Sequence, residues 1–311
     1  MKQDFPKFGI RLLCRLFGRT RHAYYDHQWR QQDLGLKDEI VLQHVMDIRK
    51  KQNRIGTLKL HHILQQPLKE HGIKIGRDYL FELMREHGLH VRTRKRKAVT
   101  TNSRHWMHKY NNLIKKLLIN GPEQVWVSDI TYIQLGKQWG YLSLITDAYS
   151  KKIMGWALRK DLAAQGCIDA LEMALTERKY PQNSLIHHSD RGSQYCSKGY
   201  IEILNNACIA VSMTENGDPY ENAIAERVNG ILKTEFNLYG AQAGLRETTK
   251  KIRDNIITYN QLRPHASCDY LTPEQAHLKK GELKKRWKPK KYKLNQNTTC
   301  ITKSEIPNLC V

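Results

Sequence analysis

Three acidic residues, Asp129, Asp190 and Glu226, lie in sequence contexts typical of carboxylates that bind metal ions. Asp129 interrupts the run VWVSDITYI, whose β-branched and aromatic residues predict a buried strand. Asp190 follows the short apolar run Leu185-Ile186, and 35 residues separate it from Glu226. A carboxylate inside a buried strand is costly unless it has a partner, and a divalent cation is a suitable one. The sequence therefore predicts a cation site that includes Asp129.

The residues around Glu226 predict the helix that must carry it. Glu226, Asn229, Gly230 and Lys233 recur at i, i+3, i+4 and i+7, which makes a polar stripe along one side of a helix. The apolar residues gather toward another side: Ile224, Val228, Ile231, Leu232 and Phe236. Such a helix is expected to pack its apolar side on the strands and to present Glu226 and Lys233 together.

The order and spacing of these residues resemble a known family. A strand aspartate, a second aspartate after another strand, a glutamate 35 residues on and a lysine seven residues beyond it are similar to the DDE transposases of the retroviral-integrase superfamily. Five short segments make the resemblance more specific, because they resemble insertion-sequence transposases: HSDRGSQY, ENAIAE, LKTE, YNQLRPH and LTPEQA. In those elements the full enzyme arises by frameshifting between two reading frames, and this chain resembles the second-frame product. The resemblance covers about residues 36–276.

The resemblance implies a site and a reaction. It implies that Asp129, Asp190 and Glu226 hold two Mg²⁺ ions, for which Mn²⁺ can substitute, with Asp129 bridging both ions. The family's spacing selects Glu226 over the nearby Glu221. Water attacks when the transposon end is nicked, and the freed 3′-hydroxyl attacks when the strand joins a target. Lys233 is expected beside the terminal base pairs or their phosphates; otherwise it is an exposed lysine paired with an acid one turn away.

The predicted secondary structure agrees with the fold that the resemblance implies. After Pro122, three strands read as an antiparallel meander, and helices then alternate with strands. The expected fold class is α/β, a ribonuclease-H-like catalytic core with an N-terminal all-α helix-turn-helix region. Asp147, at the turn after the second strand, is expected to form a local cap and is left out of the metal site. His187 and His188 are expected to be hydrogen-bonded spacers without a catalytic role.

The N-terminal third predicts helices with a glycine-bearing turn before the last one. They extend over residues 36–52, 57–70 and 76–89, after a short helix that breaks at Gly18 and a second, basic-aromatic helix. Pro67 is expected to kink or end its helix. A helix-turn-helix would expose Arg77, Tyr79 and Arg85 to the major groove of DNA, whereas a plain helical bundle is the alternative.

The charge of the chain favours a polyanionic partner. Lysine and arginine number 52 against 30 acids, which gives a net charge of +22. Residues 92–122 contain no acid and include Arg94, Lys95, Arg96 and Lys97, and residues 279–303 contain ten basic residues and one acid. Such runs are often merely solvated, but here we expect them to lie along the phosphates of double-stranded DNA, both element ends and target.

Composition also bears on location and partners. Seven cysteines show no CxxC motif, which indicates reduced thiols in a cytoplasmic protein, and no zinc site is predicted. The family resemblance implies that this cytoplasm is bacterial and that the protein is associated with the nucleoid. No apolar stretch reaches membrane-spanning length, so no membrane partner is expected. The family resemblance implies a homo-oligomer on DNA and the first-frame product of the same element as a further partner.

The predicted domain organisation has five parts. They are a short helical N-terminal segment (1–35), a helix-turn-helix DNA-binding domain (36–90), a basic linker (91–121), the catalytic core (122–276) and a basic C-terminal tail (277–311).

Two other functions fit parts of the pattern. A DNA-binding regulator derived from a transposase would share the family motifs, although it would be free to lose an acid. Another ribonuclease-H-like nuclease, such as a junction resolvase, would share the three acids. The complete set of acids argues against the first, and the upstream helix-turn-helix together with Lys233 favours transposition over the second.

Overall fold

The computed structural model describes residues 5–91, 106–115, 117–215 and 222–286. In that part of the chain, no helix is long and apolar enough to cross a membrane. The helices are α1 (Ile10–Leu16), α2 (Arg21–Lys51), α3 (Thr57–Glu70), α4 (Arg77–Glu86), α5 (Ala164–Thr176), α6 (Lys198–Asn206), α7 (Ala223–Glu235), α8 (Leu245–Leu262) and α9 (Pro273–Ala276). The strands are β1 (Val125–Leu135), β2 (Gln138–Asp147), β3 (Ile153–Arg159), β4 (Ile186–Ser189) and β5 (Ala210–Met213).

Helices α1 to α4 form the N-terminal helical region, and the last three of them share one apolar core. That core contains buried residues from each helix and from the loops between them: Val41, Val45, Ile55, Leu60, Leu64, Leu68, Ile73, Ile75, Leu80, Leu83 and Met84. The turns after α3 and α4 use Gly72 and Gly88, whose φ angles of +66° and +63° favour glycine. The predicted α3 and α4, and the glycine turn between them, are confirmed.

Two details of this region differ from the sequence predictions. Where separate helices were predicted before and after residue 35, α2 is a single helix of 31 residues. Gly35 costs a helix only about 1 kcal/mol relative to alanine, so it does not break α2. The predicted boundary between residues 35 and 36 therefore falls within a helix. Pro67 does not end α3 either, because it lies in the last turn before Glu70 and removes only one backbone hydrogen bond.

The strands form one mixed sheet in the order β3-β2-β1-β4-β5. Strands β1, β2 and β3 are antiparallel neighbours, β4 pairs parallel to β1, and β5 pairs parallel to β4. An antiparallel meander extended by two parallel strands, with helices on both faces, is the ribonuclease-H-like arrangement. The predicted fold class and its N-terminal helical region are confirmed.

Alternate residues of β1 face opposite sides of the sheet, as the period of a strand requires. Trp126 packs on the side covered by α5 and α6. Val127 packs on the other side against Ala225 of α7, and Ile133 packs there against Val228 and other apolar residues of α7 and α8. Asp129 belongs to this second set. The helix that carries Glu226 therefore covers the face of the sheet on which Asp129 lies.

Candidate active site

Asp129 lies between the sheet and α7 and is partly buried. Asn229 of α7 donates a hydrogen bond of 2.7 Å from Nδ2 to Oδ2 of Asp129. The pKa of Asp129 is raised to about 7, chiefly by burial and also by the negative charges of Asp190 and Glu226, while the Asn229 hydrogen bond opposes the shift. A cation bound beside Asp129 would therefore stabilise the ionised form of its carboxylate.

Asp190 is brought to Asp129 by strand pairing. Val127 of β1 and His188 of β4 are paired in parallel register, each two residues before one of the aspartates. Because β4 ends at Ser189, Asp190 begins the following loop, where its Oδ1 accepts a hydrogen bond of 3.0 Å from the backbone N–H of Gly192. A Cβ atom at Gly192 would lie 3.0 Å from that same oxygen, so this close turn favours glycine.

Glu226 is exposed in the first turn of α7, one turn before Asn229. Since residues i and i+3 share a helix face, the contact between Asn229 and Asp129 also brings Glu226 toward Asp129. A second contact fixes the start of the helix, because Asn222 at the N-cap position donates a hydrogen bond of 2.9 Å to the carbonyl oxygen of Ser128. The sequence marked Asn229 as part of the polar stripe, but it gave no role to Asn222 or Asn229.

Asp190 and Glu226 are close enough to Asp129 for their charges to raise its pKa, but the three carboxylates do not surround one common position. Among the described residues, no three His, Cys, Asp or Glu side chains are arranged to surround one metal ion. Lys233 also belongs to this group: burial lowers the pKa of its ammonium group, and the nearby charge of Asp129 opposes that shift. The structure thus brings the four residues to one side of α7 and of the sheet.

The residues predicted to contact DNA in the N-terminal helical region are exposed on α4. Arg77 and Arg85 form exposed ion pairs with Asp78 and Glu82 of the same helix. The Tyr79 hydroxyl donates a hydrogen bond to Asp38 of α2. Four further predicted contacts, and the competing acid, lie outside the described residues: Arg94, Lys95, Arg96, Lys97 and Glu221.

Two histidines beside the acids have structural partners. His187 Nε2 lies 2.6 Å from the hydroxyl of Ser128 and 2.8 Å from that of Tyr200. Burial lowers the pKa of His187 to about 3, so the ring is neutral. His188 Nδ1 lies 2.9 Å from the hydroxyl of Ser212. These contacts agree with the expectation that both histidines are spacers.

Asp147 is buried at the end of β2. It accepts hydrogen bonds from the backbone N–H groups of Glu123 and Ser150, both at 2.7 Å. The second of these is the local cap that the sequence predicted. Asp147 therefore stabilises the turn and the start of β1.

Comparison with known proteins places this arrangement in a family. Two models, each described as an integrase core domain, match residues 119–219 and 207–273. The uncharacterized 31 kDa protein of insertion element IS600 from Shigella sonnei is 34% identical over 271 residues, which is 84% of this chain and 96% of that protein. The transposase InsF for insertion sequence IS3A from Escherichia coli K12 is 30% identical over 279 residues, 86% of this chain and 94% of InsF. The chain belongs to the insertion-sequence transposases.

The transposase is therefore an enzyme of the DDE class, a polynucleotidyl transferase of the integrase superfamily. Solved structures with similar folds include the catalytic core domain of HTLV-2 integrase in complex with magnesium, which is 22% identical with a TM-score of 0.41 and covers 50% of this chain and 97% of that one. The first matched segment of the transposase contains Asp129 and Asp190, and the second contains Glu226 and Lys233.

Proposed function

We propose that this transposase cuts the DNA ends of its insertion element and joins them to target DNA in a Mg²⁺-dependent reaction. Asp129, Asp190 and Glu226 are the proposed metal ligands and catalytic acids. One observation carries the proposal: a partly buried aspartate in the central strand, held by Asn229 of α7, has a pKa of about 7 because of burial and the charges of the other two acids. Without a cation, that concentration of negative charge opposes folding, whereas bound cations would offset it.

The donor set fits Mg²⁺, because hard divalent cations take oxygen ligands and retain sites for water and phosphate. We propose that Asp129, Asp190 and Glu226 would together hold two ions, and that Mn²⁺ would be able to substitute for Mg²⁺. With two ions, no single ion would need all three acids as ligands. Among the described residues no three acids surround one position, which is compatible with such a division. Bound metal would activate the attacking oxygen and stabilise the leaving oxygen of an in-line displacement.

Residues around the acids have supporting roles in this proposal. Asn229 orients the Asp129 carboxylate through its hydrogen bond. Lys233 lies near Asp129, and its ammonium group binds a phosphate or base edge at the end of the element. Water is the nucleophile for nicking and the freed 3′-hydroxyl for joining, so no covalent link between protein and DNA forms.

DNA recognition is divided between two kinds of residue. Arg77 and Arg85 on the exposed side of α4 read the element's end as part of a helix-turn-helix, in the proposed domain 36–90. Arg94 to Lys97, in the proposed linker 91–121, and the basic tail 277–311 bind phosphates of element and target DNA without sequence preference. From family membership we propose that the enzyme acts as a homo-oligomer on DNA, as the second-frame product of its element and together with the first-frame product.

The test is incubation of the full chain with labelled element ends and Mg²⁺. We expect nicking at the 3′ ends of the element and strand transfer to a second duplex, both abolished by EDTA and both supported by Mn²⁺. Asp129→Asn should remove both activities while leaving binding to the end, whereas Asp254→Asn on the exposed side of α8 is the matched control. Wild-type protein that binds the end but neither nicks nor joins it under these conditions contradicts the proposal.

A further inference from the structure

The N-terminal helical region contacts the far end of the helix that carries Glu226. Nζ of Lys59, in α3, lies 2.6 Å from Oε1 of Glu235, the last residue of α7. Arg263, which follows α8, donates to both oxygens of the same carboxylate, from Nε at 2.7 Å and from Nη2 at 2.9 Å. Glu235 is therefore shared between the catalytic core and a helix that lies 176 residues earlier in the sequence.

The Glu235 cluster, which consists of Lys59, Glu235 and Arg263, is withdrawn from solvent. The side chains are 17%, 13% and 1% exposed, respectively. The pKa of Lys59 is lowered to about 8, chiefly by burial and also by repulsion from Arg263, while Glu235 opposes the shift. Burial alone would raise the pKa of Glu235, but Arg263 and Lys59 together lower it to about 2. Charges this buried depend on their partners, unlike a solvated surface pair.

Two neighbouring contacts join the same surfaces. The backbone N–H of Arg54, in the loop before α3, donates a hydrogen bond of 3.0 Å to the carbonyl oxygen of Glu235. That oxygen is one of the final carbonyls that a helix cannot satisfy by itself. In addition, the rings of His62 and Tyr270 stack with their centroids 4.9 Å apart. The N-terminal helical region therefore completes the end of α7 through both backbone and side chain.

The position of Lys59 opposes the local preference of its own helix. Lys59 lies in the first turn of α3, where no acidic residue is present and the N-cap residue, Gly56, supplies no side-chain hydrogen bond. The positive end of a helix disfavours a cation by a few tenths of a kcal/mol to about 1 kcal/mol. Because Lys59 is unfavourable in its own helix and is largely buried against Glu235, we infer that the contact with Glu235 accounts for a lysine at this position.

We propose that Glu235 is a positioning residue, through which docking of the N-terminal helical region fixes the helix that carries Glu226. This inference rests on the proposed function, because it assigns Glu226 a place in the reaction. Glu226 and Glu235 lie in the first and last turns of one continuous helix, so a shift at one end of α7 displaces the other. The region that reads the element's end is thereby coupled mechanically to the acid that acts on that end.

Lys59→Met tests the coupling without disturbing the core. It removes the ammonium group but leaves Glu235 paired with Arg263 at two points, so neither remaining charge loses all its partners. Lys59→Arg retains the charge and serves as the rescue variant. Lys69→Met makes the same change at an exposed position of the same helix and is the matched control.

Two measurements on the full chain separate positioning from general stability. The first compares, for each variant, the rate of end nicking at saturating Mg²⁺ with the equilibrium affinity for the element's end. For Lys59→Met we expect the nicking rate to fall about 10- to 100-fold, since misplacement of a reacting group by about 1 Å has effects of that size, with end binding changed less than about threefold. The second is amide hydrogen exchange of α7 in protein without DNA, which we expect to accelerate in Lys59→Met and not in Lys59→Arg or Lys69→Met.

The outcomes distinguish this inference from the proposed function. Equal nicking by Lys59→Met and wild type overturns the coupling, whatever the exchange rates. Unchanged exchange of α7 also overturns it, because the helix is then held without Lys59. A wild-type chain that does not nick DNA counts against the proposed function instead, and the exchange measurement then decides by itself whether Lys59 fixes α7.

Discussion

The side-chain amide of Asn229 is joined to the carboxylate of Asp129 by a hydrogen bond of 2.7 Å. Asn229 follows Glu226 by one helical turn, so this bond sets the position of the helix that carries one acid against the strand that carries another. It also has an electrostatic effect. Burial and the neighbouring acids raise the pKa of Asp129, whereas the Asn229 hydrogen bond lowers it and favours the ionised form.

Asn229→Ala is therefore expected to raise the pKa of Asp129 further and to weaken cation binding. The Mg²⁺ concentration for half-maximal nicking should rise, and the acid limb of the pH–rate profile should move to higher pH. A Mg²⁺ titration at several values between about pH 6 and 9 measures both effects. Asn206→Ala, at the exposed end of α6, is the control, and a profile for Asn229→Ala that coincides with it would disprove the role assigned to Asn229.

Amide substitution of the acids should separate activity from stability. Asp129→Asn, Asp190→Asn and Glu226→Gln should each abolish Mg²⁺-dependent nicking. The pKa of Asp129 is raised from 3.8 to about 7, so the native state retains a proton that the unfolded chain releases, and stability declines as pH rises through that interval. At pH values above 7, Asp129→Asn removes this penalty, which is at most about 4 kcal/mol at 1.36 kcal/mol per pKa unit.

Urea unfolding in EDTA at about pH 8 checks the stability part of this prediction. We expect Asp129→Asn to unfold at a higher urea concentration than wild type and Asp254→Asn to match wild type. Addition of Mg²⁺ should stabilise wild type and not Asp129→Asn. A variant that still nicks its DNA end removes that residue from the site, and a metal-free Asp129→Asn less stable than wild type contradicts the electrostatic account.

Glu235 should control stability at acid pH. Its pKa of about 2 lies below the ordinary value of 4.5, so its contribution is fully present above about pH 4.5 and is lost as pH falls toward 2. Glu235→Gln leaves Arg263 buried without its carboxylate partner and should destabilise the protein at neutral pH by a few kcal/mol. The difference from wild type should shrink as pH falls, and urea unfolding over a pH series measures it. Glu172→Gln, exposed on α5, should show no such pH dependence, and a constant difference for Glu235→Gln would refute the assignment.

The fold around the three acids could be predicted from the sequence because its strands and helices follow local patterns. Asp129 interrupts an otherwise apolar strand, and the residues around Glu226 recur at helical spacing, so strand pairing and helix packing bring them together in the structure. The contact between Lys59 and Glu235 could not be predicted in this way. It joins residues 176 positions apart, and Lys59 opposes the local preference of its helix. The sequence also failed to predict that α2 continues through Gly35. A glycine is a weak helix former, but the length and packing of α2 outweigh its small local cost.

Lys233 should affect DNA binding in a way that identifies its contact. If its ammonium group binds a phosphate, Lys233→Ala weakens binding to all ends alike and lowers the slope of log K against log salt by about one. Lys233→Arg then retains most of the binding, because it keeps the charge. If Lys233 contacts a base edge, discrimination of roughly 1–3 kcal/mol is lost at one terminal base pair alone.

The measurement is binding and nicking across a salt series, with wild-type and terminally mutated ends. We expect the phosphate result with a smaller effect at the terminal base pair. Lys198→Ala provides the control, because that lysine is 90% exposed on α6, which packs on the other face of the sheet. If Lys233→Ala matches wild type on every substrate, Lys233 is a solvated residue with no part in the reaction.

Gly230 should separate the stability of α7 from its activity. It lies between Glu226 and Lys233 on the polar side of the helix, and a Cβ atom built there meets nothing within 4 Å in the described structure. Alanine at that position should therefore stabilise the helix by about 0.5–1 kcal/mol, and no packing contact explains the glycine. We expect DNA to approach the backbone of α7 closely at this point, so that Gly230→Ala unfolds at a higher urea concentration yet nicks the element's end more slowly.

Gly35→Ala is the matched control, because Gly35 is also helical and its Cβ atom would also meet nothing within 4 Å. It should gain similar stability without loss of nicking. Equal nicking by Gly230→Ala and wild type would mean that DNA does not pass over this turn of the helix.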